Sequence, residues 1–167
     1  KWWQWVMHCS TAVYHVIDDT RSARVVTEFL GDARPGVWVV DRYGAQAGHG
    51  KKRQVCLAHL LRDAQYAIDC GDTLFAPAFK ALLKRACNIG KRRERLKGGT
   101  LLQYQQRLDR DLTVLLRREV TNKQGQKLVR AIKKCRGDLF VFMTRCDVPY
   151  TNNGSERALR MSVIFRK

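Results

Sequence analysis

The residues of this 167-residue chain best suited to chemistry are two carboxylates and one Cys-x-x-His pair. Asp41 directly follows Val37, Trp38, Val39 and Val40, four consecutive apolar residues between turn signals. Such a run predicts a strand buried on both faces, as in the parallel part of a mixed sheet. The carboxyl end of such a strand is where open α/β sheets place ligands and catalytic groups, and a carboxylate held there can bind a hard cation. Asp41-Arg42-Tyr43-Gly44 also reads as a simple turn leaving the strand, because Asp favours turns. Glu156 stands in Thr151-Asn152-Asn153-Gly154-Ser155-Glu156-Arg157. Asn153 with Glu156 three residues on has the pattern of a capping box. The functional alternative presents Glu156 rigidly in the first turn of a helix, beside Arg157 and on the same face as Arg160, where the arginines could grip phosphates. Cys56-x-x-His59 has the spacing of half a zinc site, but no second Cys or His pair stands at a matching spacing. A buried thiol followed by a helix-start histidine accounts for the same residues.

The elements that must position these groups alternate between strand and helix in the first half. Trp2 to His8 and Ala12 to Ile17 are apolar, aromatic and β-branched runs around Cys9-Ser10-Thr11, a β-hairpin pattern. A short helix follows, with Thr20 or Ser22 as its N-cap, Val25, Val26, Phe29 and Leu30 on one face, and Gly31 as its stop. After the basic, Gly-rich stretch 44–53, Val55 to Ala58 reads as another short buried strand. A helix carrying Leu60, Leu61, Ala64, Ala67 and Ile68 comes next and ends near Gly71. The class is therefore α/β. From Phe79 the pattern is helical only, through Leu82, Leu83, Leu101, Leu108, Leu112, Leu128 and Ile132. A final helix begins around Asn153.

Charge singles out the helical part. The formal net charge is +17, distributed as +1 over residues 1–79, +14 over 80–136 and +2 over 137–167. A charged face is ordinarily just solvated, but unpaired cations at that density repel one another unless an anion neutralises them, which points to phosphate contacts with a polyanionic partner, either nucleic acid or an anionic membrane surface. No apolar run approaches the roughly 20 residues that span a bilayer, and the first residues lack a signal-peptide pattern. A cytoplasmic protein without membrane contact is expected. The six cysteines follow no short repeat and read as reduced thiols, mostly in the core. Trp2, Trp3, Trp5 and Trp38 sit in apolar strands and are expected in the core too, with stacking on bases as the alternative reading. The chain opens at Lys1 on an aromatic cluster and stops after Val163, Ile164 and Phe165, so both ends read as cuts through a larger protein.

Three ordered segments resemble the transposases of the insertion-sequence-66 family: Val39-Val40-Asp41-Arg42-Tyr43-Gly44-Ala45-Gln46, Gln54-Val55-Cys56-Leu57-Ala58-His59-Leu60-Leu61-Arg62-Asp63, and Pro149 through Arg160 with Asn-Asn-Gly-Ser-Glu-Arg-Ala-Leu-Arg. The resemblance implies an RNase H-like mixed sheet whose Asp-Asp-Glu triad binds two divalent ions, Mg²⁺ or Mn²⁺, with an all-helical insertion before the glutamate. On that plan residues 1–78 are the first part of the core, 79–147 the basic insertion and 148–167 the catalytic helix. Asp41 matches the second Asp and Glu156 the Glu. Cys56 and His59 match a C-x-x-H signature whose His contacts DNA or stabilises the site, and His59, Arg62, Arg157 and Arg160 are the expected DNA contacts.

The first Asp of such a triad belongs to a central strand ahead of Trp2. Asp18 and Asp19 end the second visible strand and do not replace it, so the chain alone is expected to be inactive. Double-stranded DNA, as transposon ends and target, is the implied partner, acted on by a homo-oligomer. Two other readings remain: a non-catalytic DNA-binding remnant, and a structure-specific nuclease of the same fold.

Overall fold

A computed structural model describes residues 1–164. Strands β1 (Trp3–His8) and β2 (Val13–Asp18) form an antiparallel hairpin with Trp3 opposite Asp18 and His8 opposite Val13. Helix α1 (Arg24–Leu30) follows, then β3 (Val37–Val40), a 3₁₀ turn at Gly44–Gln46 and β4 (Lys52–Val55). Strands β3 and β4 pair in parallel, Val37 beside Lys52 and Val40 beside Val55. The parallel setting expected for Val37–Val40 is thus present. The four strands make two separate two-stranded ladders, however, and not one mixed sheet.

Five helices follow: α2 (Leu57–Asp69), α3 (Phe75–Arg92), α4 (Gly98–Leu116), α5 (Lys123–Lys134) and α6 (Asn153–Ile164). Apolar residues at helical spacing turn α2 to α5 toward one large core, where Leu57, Leu60, Phe75, Phe79, Leu83, Leu108, Leu112 and Ile132 are buried. Val55 of β4 and the turn residues Leu139, Phe142 and Met143 belong to the same core. A smaller core of Trp5, Met7, Val25 and Val26 lies between the hairpin and α1. Strand alternation lets β3 serve both, since Val37 and Val39 pack on the large core and Trp38 on the small one.

Local starts and stops explain most departures from the sequence pattern. Helix α1 begins at Arg24 behind Ala23 with no side-chain cap, because Thr20 Oγ1 already accepts the Ser22 N–H (3.1 Å) in the preceding turn. Residues 57–58 are helical, not extended: β4 stops at Val55, and the apolar run Val55 to Ala58 is split between a strand end and a helix start. Trp2 is 67% exposed, as the first residue ahead of a strand whose inward side is filled by Trp5 and Met7. Only Cys56 and Cys135 of the cysteines are buried. Cys9, Cys70 and Cys146 sit in exposed turns, Cys87 is half-buried, and all six are free thiols.

Candidate active site

One end of the β3–β4 pair collects the residues that the sequence singled out. Asp41 leaves β3 at that end, half-buried, and its Oδ1 accepts the Tyr43 N–H at 2.8 Å. The turn reading of Asp41 is therefore realised by one carboxylate oxygen. The Cys56 N–H continues the ladder to the Val40 carbonyl (2.7 Å), which sets Cys56 beside Asp41 at the ladder's end. Helix α2 springs from this point, and α6 is tied to it. Leu57 N–H donates to the Tyr150 carbonyl (2.9 Å), and Asn152 N–H donates to Cys56 Sγ (3.3 Å) across 96 residues of chain. Buried Cys56 thus acts as a clasp between β4 and the start of α6.

Glu156 lies in the first turn of α6, where the positive end of the helix dipole favours a carboxylate. Asn153 is already helical, and it is the Asn152 carbonyl that accepts the Glu156 N–H (3.2 Å). No capping-box bond from the Glu156 side chain occurs among the described residues. Its Oε1 instead accepts from Arg62 Nη2 at 3.1 Å and lies 3.6 Å from His59 Nε2. Arg62 and His59 occupy consecutive turns on one face of α2. The next residue of α2, Asp63, pairs with Arg42, immediately after Asp41. Helix α2 therefore holds both carboxylate-bearing segments, one through Arg42–Asp63 and the other through Arg62–Glu156. His59 Nδ1 and Asn152 Oδ1 are buried beside this cluster without hydrogen-bond partners. Arg157 and Arg160 are exposed and form no ion pair among the described residues.

The carboxylate oxygens of Asp41 and Glu156 are the hard donors that Mg²⁺ or Mn²⁺ prefers. The number is short: among the described residues no group of three His, Cys, Asp or Glu side chains is placed to hold an ion. The cluster has the donor type for a divalent site without a complete ligand set. Cys56 and His59 do not form half of a zinc site either, since Sγ is engaged by Asn152 N–H and His59 turns toward Glu156.

The basic helices are more one-sided than their sequence alone conveys. Helix α5 carries exposed Lys123, Lys127, Arg130, Lys133 and Lys134 and no acidic residue, with Leu128 and Ile132 buried beneath. Among the described residues of 80–136 a single ion pair, Arg85–Asp111 (2.5 Å), neutralises a cation within the segment. Among the described residues no helix is long and apolar enough to cross a membrane.

Sequence reasoning overlooked Asp63, Asn152 and His8. Asp63 was findable, lying four residues after His59 and so on the same helical face. His8 was not: its ring packs against Gly154, where a Cβ would meet it at 2.9 Å, a contact made only by the packing of α6 on β1. Gln4 Nε2 donates to Ser162 Oγ (2.8 Å) along the same contact.

Compared with known proteins, the chain matches the sequence model of the transposase IS66 family over residues 1–167, the whole of its length. No curated protein and no solved structure matches it.

Proposed function

Because the chain belongs to the transposase IS66 family, we propose that it is a catalytic domain for DNA transposition, in which Asp41 and Glu156 are the second and third carboxylates of an Asp-Asp-Glu set. The observation that carries this reading is the delivery of both carboxylates to one end of the parallel pair, Asp41 by β3 and Glu156 by α6 through the Cys56 clasp. The first carboxylate of the set is assigned to a strand ahead of Trp2. Such a strand would lie between β1 and β3, which share no ladder. Two Mg²⁺ or Mn²⁺ ions held by these carboxylates would supply the Lewis acidity that makes water, and then a DNA 3′-hydroxyl, an effective nucleophile.

The chain's own residues then hold and orient. Asp41 is fixed by its turn bond to Tyr43 and by the Arg42–Asp63 pair, so its free oxygen is presented without much side-chain freedom. Arg62 pairs with Glu156 and His59 Nε2 stands 3.6 Å from the same carboxylate oxygen, and either side chain can turn to a phosphate oxygen once the carboxylate is engaged elsewhere. Exposed Arg157 and Arg160 extend that phosphate-binding edge along α6, and the unpaired face of α5 supplies sequence-independent contact to duplex. Transposon ends must be brought together before joining, which supports a homo-oligomer as the working form.

A second reading has its own support: with Glu156 paired to Arg62 and no three-ligand group among the described residues, the domain would bind DNA without cutting it. One experiment separates them. In the transposase that contains this chain, Asp41→Asn and Glu156→Gln are assayed for transposon-end cleavage in Mg²⁺, with end binding followed by gel shift. Loss of cleavage with binding retained supports catalysis; cleavage at the wild-type rate overturns it. Cut but unjoined products from the unaltered protein would mark a nuclease instead.

A further inference from the structure

At the opposite end of the β3–β4 pair, away from Asp41, a cavity of about 530 Å³ opens between the loop 46–53 and the turns that follow α5. That volume lies within the roughly 300–1,000 Å³ of small-molecule sites. None of the groups assigned to catalysis lines it.

Its lining combines three features. Lys51 and Lys52 carry charge with no acidic partner among the described residues, whereas the one lining carboxylate, Asp138, is engaged by Arg53 (2.6 and 2.9 Å). The cavity is thus cationic. Trp38 and His49 meet edge to face at 6.4 Å and give it aromatic surface. Trp38 Nε1 and Gln105 Oε1, both on lining side chains, are buried without hydrogen-bond partners. One is a donor and the other an acceptor, and leaving such groups unpaired is costly. The loop is built to approach this closely: a Cβ at Gly50 would come within 2.8 Å of both Trp38 Cβ and the Lys52 carbonyl oxygen, and Gly48 adopts φ +82°.

A ligand that satisfies the first two features has an anionic group and a flat face; Trp38 Nε1 and Gln105 Oε1 have no accessible surface and are reached only if their side chains turn. We infer that the cavity is a nucleotide-binding site, with the phosphate held by Lys51 and Lys52 and the base taken against the aromatic surface of Trp38 and His49. The nucleotide is free in solution or is an unpaired nucleotide of bound DNA; the chemistry is shared. The site is separate from the carboxylates, so it stands or falls independently of catalysis.

The test follows the Trp38 indole N–H resonance of the full chain by nitrogen-15 NMR during titration with deoxynucleoside 5′-monophosphates, inorganic phosphate, a fully paired duplex, and the same duplex with one unpaired nucleotide. Two variants accompany it. Gly137 lines the cavity, has no neighbour within 4 Å of its Cβ position and needs no unusual φ, so Gly137→Leu plugs the space. Lys51→Gln with Lys52→Gln removes the phosphate contacts. The indole resonance is expected to move with monophosphates or with the unpaired-nucleotide duplex, whichever is the source. Affinity should fall about tenfold or more in each variant, the scale of losing one stacked or charge-assisted contact. The same shift from inorganic phosphate alone, from the fully paired duplex, or undiminished in Gly137→Leu overturns the proposal, as does no shift with any ligand. Unchanged amide spectra outside the cavity show that the variants are folded.

Discussion

Replacing Gly by Ala inside a helix ordinarily stabilises it by about 1 kcal/mol, but Gly125 of α5 should do the opposite. Asp72, 2% exposed, caps α3 by accepting the N–H groups of Leu74 (3.0 Å), Phe75 (3.1 Å) and Ala76 (3.0 Å). Gly125 packs directly on that carboxylate: an added Cβ would run into Asp72 Oδ2, with Val120 Cγ1 at 2.7 Å and Asp72 Cγ at 2.8 Å. Neither obstacle is the free end of a flexible chain, so the helix or the cap must move. Overpacking of this kind costs about 1–3 kcal/mol, and partial loss of the cap about 0.5–2 kcal/mol. Set against the propensity gain, Gly125→Ala should lose about 2 kcal/mol, lowering Tm by roughly 4–8 °C for a domain of this size. Gly99→Ala is the control, in the first turn of α4 with nothing within 4 Å of its Cβ position. It should gain up to about 1 kcal/mol. Urea denaturation of both variants checks the pair. A Gly125→Ala protein as stable as wild type would refute the close packing of α5 on the α3 cap.

Other expected outcomes concern the site and the surface. Glu156→Gln should change stability by less than about 1 kcal/mol, because Arg62 and Glu156 are 62% and 41% exposed and such pairs contribute little; a chemical-denaturation midpoint lost along with activity would mean that Glu156 is structural. Replacing Lys123, Lys127 and Arg130 together by Gln should reduce the slope of log K against log salt for duplex binding by about 3, and an unaltered slope would remove α5 from the DNA contact. Alkylation by iodoacetamide should modify Cys9 first, since it is exposed and the Thr11 hydroxyl hydrogen-bonds its sulfur and lowers its pKa. Cys87, pushed up to about 11 by burial, should react slowly along with Cys135, whose pKa burial also raises, and with Cys56, which has no exposed surface. Peptide mapping that finds Cys87 labelled as fast as Cys9 would contradict the packing around α3.

Features that depend on neighbours in the chain were legible in the sequence, and those that depend on distant contacts were not. Val37 to Val40 could be placed in a parallel strand, with Asp41 at its end, because the run is β-branched and aromatic throughout and is closed by turn residues on both sides. The hairpin and the amphipathic helices follow from the same kind of local period. Val55 to Ala58 misled because no turn residue ends it, and four apolar residues carry no period long enough to distinguish a strand from a helix start. Glu156 is the clearest case: its local pattern is that of a cap, whereas its partner Arg62 lies 94 residues away. The cavity at the far end was invisible for the same reason, being assembled from a β3 residue, the loop before β4, α4 and the turns after α5.

The place where the helical segment leaves and the place where it returns are fastened together. Leu57 N–H meets the Tyr150 carbonyl, and Gln54, buried in β4, donates to the Leu139 carbonyl and accepts the Phe142 N–H. In polymer terms everything between is one closed excursion, whose closure entropy grows only with the logarithm of its length. Lengthening or trimming the excursion at an exposed connection, such as the glycines Gly98 and Gly99 ahead of α4, therefore leaves the relative placement of Asp41 and Glu156 to its short neck. The basic helices can be remodelled in evolution, or by an engineer, while the neck that places Asp41 and Glu156 stays as it is.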